Sequence, residues 1–105
     1  MRRGTTPTCT FTTNVDLTGC TVFVTFQQNG QTVIEKTGTD LTITATETGS
    51  TVALTLTQLE TLALEPGRGV QVQIRYVDSF GTADASNIIT TSAEAILKDG
   101  VITYV

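Results

Sequence analysis

The sequence contains no histidine and no tryptophan. The first absence removes the commonest general base and the commonest transition-metal ligand together. The second, with the lack of the usual inter-sheet cysteine arrangement, excludes an antibody-type domain. Only two cysteines are present, Cys9 and Cys20. Neither has a partner base or C-x-x-C spacing, so neither a catalytic thiol nor a zinc site is expected. No G-x-G-x-x-G, P-loop or G-x-S-x-G occurs, and "PGRGV" has two glycines but no helix after them. These absences predict a protein that is not an enzyme and carries no cofactor and no metal.

Charge is scarce as well. Charged residues make up 15% of the chain, well under the usual quarter. Their balance is uneven. Of six basic residues, Arg2 and Arg3 stand at the front, so from Gly4 onward four basic residues face ten acidic ones, a net −6. Such a surface repels phosphate backbones and anionic membranes, so neither nucleic acid nor membrane is an expected partner. No apolar run is long enough to cross a bilayer. The front has the positive charge of a signal peptide but no apolar h-region, because "GTTPTCTFTT" follows at once. Synthesis and retention in the cytoplasm are expected, which favours free thiols at Cys9 and Cys20 over a disulfide.

Threonine is plentiful, and a β-branched polar side chain suits the solvated face of a strand. Alternation of period two recurs along the chain. "TCTFTT" aligns Cys9 with Phe11, and "CTVFVTF" aligns Cys20, Val22, Val24 and Phe26. "QTVIEKT" carries Val33 and Ile34 in adjacent phases, so either can face the core. "LTITA", "TVALTLT" and "VQVQIRYV" alternate cleanly, and "SNIITTSAEAIL" reads as a last long or bent strand. The turns agree: Asn29-Gly30 is a type I′ hairpin signal, and "DSFG" at Asp78–Gly81 has Asp and Gly where a type I turn wants them. "TQLETLALEPG" breaks the rhythm. Thr57 and Glu60 have capping-box spacing, Leu59, Leu62 and Leu64 could line one side of a helical turn, and Pro66-Gly67 ends it. The pattern predicts an all-β, immunoglobulin-like β-sandwich of about seven antiparallel strands, with one short helical turn near residues 58–63. It forms a single domain over residues 1–105, with residues 1–6 as a flexible tip and 98–105 as an extension.

A few residues fit this frame poorly and are candidates for contact with partners. Phe23 is out of phase with the core of its strand. It either packs under the helical corner or belongs to a contact surface. Phe80 sits in a tight turn with little to bury against. Val101, Ile102, Tyr104 and Val105 make an apolar stretch beyond the finished pattern, which either adds a strand to its own sheet or offers one to a neighbour. Arg2 and Arg3 suit either head-to-tail pairing with the carboxylates of another copy or a loose, incidental start. Asp16, Asp40, Asp78, Asp84 and Asp99 fall at turns, where Asp usually bonds its own backbone; no D-x-D-x-D cluster suggests Ca²⁺.

Taken together, "RRGTTPT", "DLTGCTVFVTFQQNGQTVIEKTGTDL", "LTQLETLALEPG" and "VQVQIRYVDSFGTADASNIITTSAEAILKDGVI" resemble small proteins encoded among the tail and baseplate genes of siphophages and prophages of Gram-positive bacteria. The resemblance covers nearly the whole chain. It implies an immunoglobulin-like domain similar to the N-terminal domain of baseplate upper proteins. It further implies a non-catalytic virion structural protein, made in the host cytoplasm and built into the tail or baseplate. The partners implied are other tail or baseplate proteins, self-association included. The alternative is a bacterial cell-surface adhesion or carbohydrate-binding sandwich, which calls for a secretion signal and exposed aromatic platforms. A minor enzyme-associated domain is a further alternative, disfavoured by the missing histidine.

Overall fold

The computed structural model describes residues 1–86 and 88–104. In chain order it holds β1 (Thr8–Thr13), β2 (Thr21–Gln28), β3 (Gln31–Thr37), a 3₁₀ turn (Gly38–Asp40), β4 (Leu41–Ala45) and β5 (Ser50–Thr55). A short helix α1 (Gln58–Leu62) follows, then β6 (Gly69–Val77), β7 (Ala83–Ala85) and β8 (Ile89–Ser92). The strands form two antiparallel sheets. One has the order β1-β5-β4; the other has β3-β2-β6, with β7 and β8 both along the far flank of β6. The chain changes sheets at β1–β2, β3–β4 and β5–β6, which is the Greek-key arrangement of an immunoglobulin-like sandwich.

Alternation decides which side chains turn inward. Val22, Val24 and Phe26 of β2 meet Val70, Val72 and Ile74 of β6 within one sheet, and Leu41, Val52 and Leu54 face them from the other. Each is buried, as the shared period requires. Apart from Ala53, the outward positions of the smaller sheet are threonines: Thr8, Thr10 and Thr12 on β1, Thr42 and Thr44 on β4, and Thr51 and Thr55 on β5. Methyls and hydroxyls there supply a neutral solvated face, and Thr8 and Thr55 share a cross-strand hydrogen bond of 3.2 Å.

The hairpin signal reads true. Asn29 and Gly30 have φ of 53° and 74°, as a type I′ turn demands. The ambiguous pair Val33-Ile34 is resolved by a bulge. The β2–β3 register runs through Phe26↔Ile34 and then steps to Gln27↔Thr32, so Val33 is the extra residue. Ile34 is buried, and Val33 packs against the core's margin. The expected last strand is corrected. It begins at Ala83, three residues before the reading that started at Ser86, and it ends at Ser92, not Leu97. It is also split. From Ala85 to Ile89 the outer chain advances four residues while its partners retreat three, from Arg75 to Val72. That slip breaks one strand into two short ones and raises the count to eight among the described residues.

Two small residues hold the turn between β4 and β5 against the loop after β1. Ser50 is fully buried, and its Oγ donates to the Val15 carbonyl (2.7 Å) while accepting the Leu17 amide (3.2 Å). Those bonds seat Leu17, itself fully buried, in the core from a loop. Gly49 lies so close that a Cβ there would stand 2.1 Å from the Thr13 carbonyl oxygen and 2.7 Å from the Asn14 carbonyl carbon. Backbone atoms cannot step aside as a side-chain end can. The Gly49→Ala variant is therefore expected to lose about 2–3 kcal/mol in urea denaturation with the fold retained. Wild-type stability in that variant would refute this close approach.

Candidate interaction surface

The helix α1 carries the chain from the smaller sheet to the larger, and its ends must find partners for their open backbone groups. At the N-terminal end the capping box forms as its spacing predicts. The Glu60 amide donates to Thr57 Oγ1 (3.2 Å), and the Thr57 amide donates to Glu60 Oε1 (2.8 Å). The same Glu60 oxygen meets Lys36 Nζ at 2.9 Å. Lys36 occupies an inward position of β3, opposite Val24, and is almost wholly buried. Burial of the Glu60 carboxyl pushes its pKa up, but the bonds from Lys36 and Thr57 outweigh this and hold it below its ordinary value.

At the other end, Arg3 performs the capping. Its Nε donates to the Leu64 carbonyl (2.7 Å) and its Nη2 to the Leu62 carbonyl (2.9 Å). Arginine's fork suits two adjacent carbonyls, and a cation there is favourable. Residues 1–3, the front half of the tip expected over residues 1–6, are hydrogen-bonded to the end of β8 and the stretch after it. The Glu94 amide donates to the Met1 carbonyl (2.9 Å), and the Arg3 amide donates to the Glu94 carbonyl (3.1 Å). The Met1 amine reaches the Ser92 carbonyl and the Glu94 carboxylate. Arg2 Nη1 donates to the Ala95 carbonyl (2.6 Å). Arg3 is thus engaged within its own chain, whereas Arg2 makes this one side-chain bond and stays exposed.

Two glutamines act as backbone clamps. Gln28 continues the inward phase of β2 and is buried; its Nε2 donates to the Glu65 carbonyl (3.0 Å) and its Oε1 accepts the Glu65 amide (2.7 Å). Gln58 does the same for Ile102, donating to its carbonyl (2.9 Å) and accepting its amide (2.8 Å). Thr61, fully buried, sets its hydroxyl 2.9 Å from the Thr5 carbonyl and 3.1 Å from that of Gln58. That bonding turns Thr61 inward and Leu59 outward, 70% exposed. The expected leucine side of the helix is corrected accordingly: Leu64 is buried, Leu62 is half-buried and Leu59 is not inside.

Around this junction the two ends of the chain meet. Arg3, Gly4 and Thr5 share an open pocket with Ile96, Lys98 and Ile102. Leu97 and Tyr104 are fully exposed, and Val101 and Ile102 are about half exposed. The described part of the extension, residues 98–104, joins no strand. Val105 lies outside the described residues. The other candidates stand apart. Phe80 is 92% exposed at the tip of the β6–β7 turn, at the end of the larger sheet opposite the β2–β3 hairpin. That turn is built as the sequence suggests, with Asp78 Oδ1 accepting the Phe80 and Thr82 amides, both at 2.9 Å. Phe23 lies on the outer face of the larger sheet between Thr37 and Arg75, in a shallow pocket with Thr25 and Glu35. It is not under the helical corner, because α1 bonds to Lys36, which points inward.

The remaining aspartates have ordinary structural partners. Asp16 accepts from Thr18, and Asp40 from the Thr37 amide. Asp84 sits in β7, not in a turn, and Asp99 pairs with Arg3 at 3.8 Å. Both cysteines are free thiols, and burial raises the Cys9 pKa against the opposing pull of the terminal amine. Among the described residues, no three of His, Cys, Asp and Glu converge as a metal site would need. Sequence reasoning missed Gln28, Gln58, Lys36 and Ser50. For Gln28 and Lys36 a signal existed, since each is a polar residue in an inward phase. For Gln58 there was none.

A scan against protein-family models finds no match, and a search of curated proteins finds none either.

Two outcomes are expected from this junction. Arg3→Ala leaves two half-buried carbonyls without their charged donor and should cost about 2 kcal/mol in urea denaturation, against about 0.5 kcal/mol for Arg2→Ala at an exposed carbonyl. Glu60 is the second test. Its folded pKa lies below the ordinary 4.5, so its contribution is full above that value and drains away as pH falls through the folded pKa. Glu60→Gln should flatten the loss of thermal stability between neutral pH and the acid limb below that value. An unchanged acid slope would show that the Lys36 contact does not form in solution.

Proposed function

We propose that the chain is a non-catalytic structural and assembly module of a bacteriophage or prophage tail or baseplate, working through protein–protein contacts in the virion. The observation that carries this reading is the apolar segment Val101–Tyr104. It stands exposed beside α1 on a domain whose surface is mostly neutral and threonine-rich. Exposed valine, isoleucine and tyrosine in sequence are costly to leave in water and are found where another protein covers them. The resemblance of the sequence to tail and baseplate proteins supplies the context. The rigid sandwich supplies a scaffold, and its open strand edges offer backbone groups to a partner.

One observation favours the alternative, a carbohydrate-binding sandwich. Phe23 shares its outer-face pocket with Arg75 and Glu35, and a ring flanked by charged donors and acceptors can cradle a sugar.

The test is particle composition. Tail particles purified from a strain carrying the gene should contain the chain in fixed proportion to the other tail proteins by quantitative mass spectrometry. A chain found only in the free fraction, with intact particles lacking it, overturns the assembly reading.

A further inference from the structure

The smaller sheet is one strand short on the β1 side. Sandwiches of this type commonly carry a fourth strand there. Here the preceding residues cross instead to the other sheet and pair with Glu94. Among the described residues, no strand pairs with the free flank of β1. This edge lacks the usual protections. Over Thr8–Thr13 it has no charge, no proline and no bulge, and its pairing with β5 on the other flank is unbroken over six residues. Its inward side chains, Cys9 and Phe11, are only half-buried at the margin of the core.

The same chain holds a segment suited to that edge. Val101-Ile102-Thr103-Tyr104 is rich in strand-forming residues, and it belongs to no strand. Its alternation matches β1. With Ile102 and Tyr104 turned inward they would cover Phe11 and Cys9, and Thr103 would turn outward to extend the threonine face. In the structure this segment is held away from any sheet by the two Gln58 hydrogen bonds to Ile102.

We infer that the segment Val101–Tyr104 of one copy adds as a strand to the free edge of β1 in a second copy, joining copies head to tail. This rests on the assembly reading above and names the partner. The addition exchanges the two Gln58 bonds for ladder bonds along the edge and moves two exposed apolar side chains, Ile102 and Tyr104, against the margin of a core. A head-to-tail contact uses different surfaces on each copy, so it builds rings or open filaments.

The experiment uses the full chain. Sedimentation and light scattering from micromolar to millimolar concentration should show reversible association. The Ile102→Asn/Tyr104→Asn double variant alters exposed residues and so should fold as the parent does. It should weaken association by at least about tenfold. Cys9 is a built-in reporter. Its alkylation rate, read by peptide mass, should fall as concentration rises in the parent and stay constant in the double variant. A parent that is strictly monomeric overturns the inference. So does association that survives the double substitution, or that leaves Cys9 labelling unchanged. Protection of Cys9 at every concentration places the segment on its own copy and overturns it also. In each case the chain's presence in particles still decides the assembly reading separately.

Discussion

The structure turns on the satisfaction of backbone groups where the chain leaves one sheet for the other. A helix as short as α1 has more open ends than internal bonds, and it cannot stand on propensity alone. Thr57 and Glu60 close its front, Arg3 takes the carbonyls behind it, and Gln28 holds Glu65 in the stretch that follows. Each of these side chains comes from a different part of the chain. The corner is therefore the place where β2, β3, the first residues and the last described residues are tied together.

This economy shapes the rest of the molecule. With few charges, the protein relies on threonine for its solvated sheet face and on neutral amides for its internal clamps. A glutamine amide presents one donor and one acceptor side by side, as a peptide group does, so it can stand in for a missing strand neighbour. Gln28 uses this inside the fold and Gln58 uses it at the surface. The buried ion pair of Lys36 and Glu60 is the exception. There the charge is tolerated because Glu60 is also bonded to backbone and remains partly open to solvent. The same economy leaves the edge strand β1 without charged guards, and function on this reading lies at that edge and the apolar segment beside α1.

Much of the frame was legible. The alternating runs identified five inward faces, because one phase of each of those strands is mainly apolar. Asn29-Gly30 and Thr57…Glu60 announced a hairpin and a helix start through local stereochemistry that needs no distant partner. The failures share a cause. Val33 and Ile34 could not be ranked until the bulge assigned both. Leu59 looked inward by periodicity, but Thr61 took that side through bonds to Thr5, far away in sequence. Arg2 and Arg3 looked like a loose basic tip because their acceptors, carbonyls of residues 62, 64 and 95, carry no signature in the side-chain code.

The sequence by itself determined an all-β sandwich, its approximate strands, its tight turns and the absence of histidine chemistry. Those properties follow from side-chain alternation, local dihedral preference and composition, which act over a few residues. Tertiary structure alone decided the use of the two arginines, the glutamine clamps, the split of the last strand and the open flank of β1. Each depends on which backbone groups remain unpaired after the sheets close, and that is set by contacts between residues tens of positions apart.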